Sequence, residues 1–387
     1  MTIIRQSFPK SIADVSLTWL NAVLPGAARV QSFKVSALAE QGVTSTVYLL
    51  DLVYEAPAPD ATEQLLLKIA SDNPAVREAL REGRGYLREV AFYERLGADA
   101  GIAIPRCFAL GYDERDNSFL LLLEYVGNSS VRDIVAGSVA DIGESVAALA
   151  RFHARWWGRD GELHWVERDT STALLDLRVQ RVATALETIR RDYAERIDAP
   201  VLELLELYRE HTHLLASDAA SGPLTLCHGD FHRKQLLFPD NTAGRFCVLD
   251  WQTVTLGRGA DDLARIIVTG LRNEDRLRHE GSLVRGYHEV LLAHGIDDYP
   301  LAQLWEHYYL GVARLLMTHC MVFTGFDLQP LITEWRDKGF DWFEVFFHWP
   351  CVALEEHDVL NRIRRQVAGS RPPKAGLCAI SSAGGTP

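Results

Sequence analysis

The segment from Leu226 to Ala264 concentrates side chains able to do acid–base and metal chemistry. It reads LCHGDFHRKQLLF, then a PDNTAG turn, then RFCVLDWQ, and shortly afterwards GRGADDLA. One apolar run leads into His228-Gly229-Asp230, and a second ends in Asp250, 20 positions beyond Asp230. Carboxylates at two strand ends can face one cavity. One of them can then orient an attacking hydroxyl while the other ligates a divalent cation. Gln235 adds a side-chain carbonyl to the same neighbourhood. Phosphoryl transfer needs such parts, because its loose transition state asks mainly for positioning and charge neutralisation.

A phosphate-binding lysine must come from elsewhere. Lys68 lies in LLLKIA, an aliphatic strand in which a buried ammonium requires a partner. Glu89, in the helical stretch LREVAFYERL, can supply that partner. The plainer alternative is a lysine that snorkels from a strand edge. Gly42 and Ser45, in QGVTSTV, can cover phosphates with backbone N–H groups and hydroxyls. By itself that stretch reads more readily as an ordinary turn.

Several elements must position these groups. Ser11 and Asp14 have capping-box spacing and open a helix over residues 11–24, stopped by Pro25-Gly26. Strands are expected at 47–54 and 65–69 around a Pro-rich loop, a helix at 75–97, and strands at 106–112 and 118–126. After Gly127 the pattern turns helical, over residues 140–158, 172–193, 198–216, 274–294 and 300–323, with one strand-like interruption at 224–251. His153 falls on the buried stripe of the first of these, where a histidine is more often core than functional. The expected division is an N-terminal helical segment (1–29), a β-rich nucleotide-binding lobe (30–126), a helical catalytic lobe (127–368) and a disordered Gly/Ser/Pro-rich tail (369–387).

Composition narrows the function classes. With 387 residues, 48% of them hydrophobic, the chain can bury a large core without staples. Its net charge of −12 lacks the basic footprint of a nucleic-acid partner. The six cysteines form no C-x-x-C pair, so they read as buried free thiols of a reducing compartment. No signal-length or membrane-length apolar run is visible, so a soluble cytoplasmic protein with no membrane partner is expected. The oligomeric state is left open. A zinc hydrolase built on His228 and His232 would need a helix that Gly229 disfavours.

The order of the Gly42 loop, Lys68, Glu89, LLLLEYV, HGDFHRKQ, LDWQ and GADDLA resembles the aminoglycoside phosphotransferase-like kinases, over about residues 30–350. The resemblance implies an α+β, two-lobed protein-kinase-like fold: an antiparallel sheet plus helix, then a larger, mainly helical lobe. It implies an ATP- and Mg²⁺-dependent transfer to a hydroxyl of a small molecule; the sequence leaves the choice between ATP and GTP open. Asp230 would be the catalytic aspartate, and Asp250 with Gln235 would hold the metal. Lys68 would bind phosphates and pair with Glu89. The backbone of Glu124, Tyr125 and Val126 would read the base. His228 and Asp262 would support the catalytic loop. The family usually has asparagine where Gln235 stands, which leaves a nucleotide-binding pseudokinase as the alternative. Only 11 positions separate Asp250 from Asp261, too few for a peptide-binding activation segment.

On the acceptor side, residues 301–360 carry nine acidic and three basic side chains together with many aromatics. Either a cationic acceptor or a bulky apolar alcohol fits that composition, and so does a helical core with a solvated acidic face. The likeness of LDWQ and its short loop to the ecdysteroid-kinase-like branch tilts the reading towards a hydroxylated, fairly apolar molecule.

Overall fold

The computed structural model describes residues 1–4, 7–26, 28–38, 44–56, 62–132, 137–220, 222–324 and 328–369. Gly42, the tip of the Pro-rich loop, Phe326, Asp327 and the tail with Cys378 lie outside the described residues.

The front of the chain forms a six-stranded sheet. Its strands are β1 (Thr2–Ile4), β2 (Val30–Ala37), β3 (Ser45–Tyr54), β4 (Gln64–Ala70), β5 (Cys107–Asp113) and β6 (Ser118–Glu124), in the order β1-β5-β6-β4-β3-β2. All pairings are antiparallel except β1 with β5. The leucine run of β6 is buried on both faces, which suits a central strand. Lys68 sits opposite Val47 and Leu121 in the middle of this sheet. The parallel β1 extends the sheet at an edge, so the N-terminal segment is not purely helical as expected.

Two helices were drawn too long from the sequence. Over 11–24, Ser11 and Asp14 do form a capping box, but it caps a single 3₁₀ turn (Ile12–Asp14). A new N-cap, Ser16, starts α1 (Leu17–Val23). Over 75–97 the chain breaks into α2 (Pro74–Glu82) and α3 (Gly85–Arg95), with Arg84 left-handed at φ 54° between them. Gly83 has low helix propensity, which eases the break.

The remainder is mainly helical. A strand β7 (Ser129–Val131) precedes α4 (Val139–Trp156), α5 (Thr172–Asp192) and α6 (Ala199–Ala220), the last kinked at His211. Next come β8 (Thr225–Cys227), β9 (Leu236–Pro239), β10 (Cys247–Val248) and β11 (Thr255–Gly257). Strands β10, β9 and β7 form one small sheet, and β11 with β8 an antiparallel pair. The body closes with α7 (Gly259–Gly270), α8 (Asn273–Ala293), α9 (Leu301–His319), α10 (Gln329–Asp337), α11 (Trp349–Glu356) and α12 (Val359–Gly369). One continuous core runs from α3 and β6 through α4 and α7 to α12. No helix among the described residues is long and apolar enough to cross a membrane. Five cysteines are described, and all are free and buried. Burial pushes the Cys107, Cys247 and Cys351 thiols up to about 12, so they behave as inert core residues.

Candidate functional site

Two short strands aim the chemistry. β8 ends in Cys227, and the next four residues, His228 to Phe231, turn sharply across the end of β11. Gly229 takes φ 82°, and a Cβ there would lie 2.4 Å from the Thr253 carbonyl oxygen, so only glycine fits. The turn is fixed by Asp262, in the first turn of α7. Its carboxylate accepts the backbone N–H groups of His228 (2.6 Å) and Gly229 (2.9 Å), and His153 Nε2 lies 3.4 Å away. His153 is itself held by Tyr287, its Nδ1 2.7 Å from the hydroxyl. Burial alone would raise Asp262, but His153 and these N–H donors outweigh it and hold the carboxyl below its usual range. His153 therefore supports the loop rather than merely filling core.

The His228 tautomer follows from its partners. Nε2 donates to the Leu249 carbonyl (2.9 Å), and Nδ1 accepts from the Asp230 backbone N–H (3.2 Å). Burial lowers His228 from the usual histidine range and keeps it neutral. The ring thus ties the segment bearing Asp230 to the one bearing Asp250. It is not arranged with His232 as a zinc pair, because the segment between them is a loop and Nε2 is already committed.

Asp230 is gripped by a residue that the sequence reading missed. Arg265, on α7, forms an ion pair with its carboxylate, and His232 Nε2 lies 3.5 Å from Oδ2. Burial would raise Asp230, yet Arg265 and His232 outweigh it and hold the carboxyl well below the usual range. Asp230 is therefore ionised at any physiological pH.

Asp250 follows β10 with φ 61°, in the left-handed region that Asp tolerates. Its Oδ1 accepts Lys68 Nζ at 2.9 Å. Its Oδ2 accepts the side-chain amides of Gln235 (3.2 Å) and Gln252 (3.1 Å). Lys68 also reaches both oxygens of Glu89 at 2.8 Å, so it bridges two carboxylates rather than snorkelling to solvent. Burial pushes Glu89 up to about 7 against the pull of Lys68. Burial would lower Lys68, but Asp250 and Glu89 prevail and raise it. The indole of Trp251 stacks on Phe92 with centroids 3.9 Å apart, clamping α3, and with it Glu89, to the Asp250 strand end. Gln252 also donates to Thr44 Oγ1 (3.0 Å), linking this centre to the start of β3, where Ser45 is buried.

At the junction after β6, Arg245 (2.6 Å) and the Arg106 backbone N–H (3.0 Å) hold the Glu124 carboxylate. Val126 is buried, and Tyr125 is exposed. The Glu124 side chain is thus tied into the fold, while the Tyr125 side chain stays exposed.

In front of Asp230 lies a cavity of about 470 Å³, between α2, α5, α7 and α9. Among the described residues, none of the acidic side chains of 301–360 lines it. Most aromatics of that stretch, such as Trp335, Phe343 and Phe347, are buried core. The composition pointed to the right wall but to the wrong side chains, because the acids face solvent. The wall contains Gly311, Arg314, Leu315, Thr318 and Phe346 instead.

His319, at the end of α9, is buried and donates from Nδ1 to the Phe346 carbonyl (2.7 Å). Burial and the nearby Arg265 push it down to about 3. The unfolded chain therefore binds this proton first, so the stability it protects is complete above about pH 6.5 and is lost as pH falls towards 3. The expected slope is at most about 1.4 kcal/mol per pH unit. Urea midpoints at pH 7 and 5 should show a shallower acid loss in His319→Gln, and an unchanged slope would refute this.

The phosphotransferase enzyme family model matches residues 40–305, well over half of the chain. An uncharacterised kinase-like protein of Caenorhabditis elegans is 25% identical over 238 residues, covering 57% of this chain and 61% of that protein, so the chain spans less than two thirds of the relative's length. A provisionally assigned aminoglycoside phosphotransferase of Ralstonia eutropha superposes with a TM-score of 0.50 at 14% identity, over 89% of this chain and 97% of the other. A choline kinase of Streptococcus pneumoniae does so with a TM-score of 0.46 at 13% identity, over 88% and 96%. The structural likeness is one of fold, a two-lobed kinase-like architecture. The matched segment holds Lys68, Glu89, Asp230, Gln235, Asp250 and Asp262, and the chain belongs to the phosphotransferase enzyme family.

Proposed function

We propose that this protein transfers the γ-phosphoryl group of ATP to a hydroxyl of a small molecule, with Mg²⁺. The observation that carries the reading is Lys68 bridging Glu89 and Asp250 beside a cavity that Asp230 lines. A buried cation shared by two carboxylates is costly to desolvate, and such clusters concentrate at functional sites. The 11-position spacing from Asp250 to Asp261 supports a small acceptor rather than a peptide.

The residues present fit a hard cation. Asp250 offers carboxylate oxygens, and Gln235 stands 3.2 Å from them with an amide whose carbonyl turns inward on a simple flip. Oxygen donors of this kind select Mg²⁺ over softer metals. Bound there, the ion would neutralise charge on the phosphate oxygens. Lys68 would meet the α- and β-phosphates while Glu89 keeps it aimed. The backbone of Glu124 to Val126 would meet the base. Asp230, held ionised by Arg265, would accept a hydrogen bond from the acceptor hydroxyl and orient its oxygen towards phosphorus. As the new O–P bond forms, the bond to the bridging oxygen breaks, ADP leaves, and the hydroxyl proton passes to Asp230. His228, Asp262 and His153 would hold that loop still.

The test is thermal stabilisation by ATP with and without Mg²⁺. A ligand present at 100 times its Kd adds about 2.7 kcal/mol. Stabilisation that needs both components supports the reading, and none from either refutes it. Gln235→Asn should retain activity, with kcat reduced by less than about tenfold, or about 1.4 kcal/mol. A dead variant, read by ADP release, would mean the longer arm is indispensable.

A further inference from the structure

The charges around the acceptor cavity do not match the acidity of the chain. Among the described residues, its charged lining consists of six arginines and four aspartates. Two of the aspartates are spent within the catalytic loop: Asp262 on backbone N–H groups and Asp230 on Arg265. Glu167 meets Arg88 at 2.9 Å, and Glu82 lies 3.9 Å from Arg181. The remaining pair, Asp169 and Asp261, must serve Arg178, Arg258 and Arg314. Asp169 binds both Arg178 and Arg314, while Asp261 binds Arg314 at 2.7 Å and Arg258 at 3.3 Å. Three guanidinium groups thus share two carboxylates, which leaves guanidinium N–H groups without a carboxylate partner in a mostly buried place.

The shortfall has a point of focus. Arg258 is only 6% exposed, and its Nε, like those of Arg88 and Arg265 in the same lining, is buried with no hydrogen-bond partner, while its carboxylate contact is the long one at 3.3 Å. A buried charged donor left unmatched is expensive, and more so than a neutral one. An acceptor oxygen from a ligand would satisfy it. Guanidinium is the group best shaped to take a carboxylate in a two-pronged contact. Arg258 precedes Arg265 by seven positions at the start of α7, about 10 Å along the axis. An anion there would sit about that far from the hydroxyl facing Asp230. The same lining has an apolar part, with Leu80, Leu174, Leu177, Leu328 and Leu331. A cavity of about 470 Å³ accommodates a drug-sized molecule.

We infer that the acceptor is an apolar hydroxy acid, its hydroxyl presented to Asp230, its carboxylate held by Arg258, Arg314 and Arg178, and its body laid on the leucines. This rests on the phosphotransferase reading and names its acceptor class. The inference replaces the cationic-acceptor alternative, since none of the described acids that suggested it lines the cavity.

The probes are 8-hydroxyoctanoic acid and 10-hydroxydecanoic acid, each beside its methyl ester, with choline and kanamycin as cationic alcohols. ADP release with Mg²⁺ and ATP is measured for all six, together with the melting temperature without nucleotide. At least one acid should be turned over with kcat/KM tenfold or more above its ester and should raise the melting temperature. In Arg258→Met the KM for that acid should rise about tenfold, a loss of about 1.4 kcal/mol, while KM for the ester stays put. If Arg258→Met fails to fold, as its unliganded melting temperature would show, Arg178→Gln at the partly exposed rim carries the same expectation. Esters or cationic alcohols equal to the acids, no stabilisation by either acid, or an acid preference untouched in the folded variant would each overturn the inference. Any of these together with intact Mg²⁺-dependent stabilisation by ATP would leave the phosphotransferase reading standing. Loss of that stabilisation in the unmodified protein would remove the reading beneath.

Discussion

Asp230→Asn should lower kcat by about 10²–10⁴-fold, the usual contribution of a positioned acid–base group, while nucleotide affinity is retained. The substitution is nearly isosteric, and the asparagine carbonyl can still accept from Arg265. The side chain then has no negative charge to orient a hydroxyl or to take its proton. Lys68, Glu89 and Asp250 are not in contact with this carboxylate, so the nucleotide side should be undisturbed. Arg265 matters to the argument because it holds Asp230 ionised. A carboxylate so stabilised is a weak base, so in the proposed reaction its larger role would be to align the hydroxyl before transfer, with proton uptake late. Initial rates of ADP release and the thermal shift with Mg²⁺ and ATP separate the two effects. Wild-type turnover in this variant would remove Asp230 from the reaction.

The second large effect is expected at Asp250. Asp250→Asn should abolish the Mg²⁺-dependent part of ATP stabilisation and reduce it to that of ATP alone. Asparagine is chosen because the residue has φ 61°, and asparagine shares the tolerance of aspartate for that region. Alanine there would add backbone strain and confuse metal loss with destabilisation. Lys68 loses one of its carboxylates in this variant but keeps Glu89 at 2.8 Å, so the protein should remain folded. Unaltered Mg²⁺ dependence would show that the metal is held elsewhere.

Much of this site was legible in the sequence because it is written in short contiguous stretches. His228, Asp230 and Gln235 lie on one loop, Asp250 ends the next strand, and Asp262 follows closely. Lys68 was legible for another reason, since a lysine inside a leucine-rich strand demands a counter-charge. Residues whose meaning depends on distant partners were not legible. Arg265 sits in GADDLARIIVTG, whose β-branched run and terminal glycines obscure a helix. Asp169 and Arg314 meet across 145 positions, and no local pattern announces that pair. His153 looked like core and is core, but it also braces Asp262. The acidic and aromatic bias of 301–360 was real, yet composition says nothing about which face of a helix looks into a cavity. Packing sent the acids outward and left Arg314 inside. The break at Arg84 was hidden because the helical pattern resumes immediately after it.

The most direct test of the account is transfer of the label from γ-³²P-ATP in the presence of Mg²⁺ and the hydroxy-acid panel. The account predicts label on the acceptor oxygen, dependent on Mg²⁺ and lost in Asp230→Asn. Label that stays on ATP, or that appears only as inorganic phosphate, while ATP demonstrably binds would contradict it.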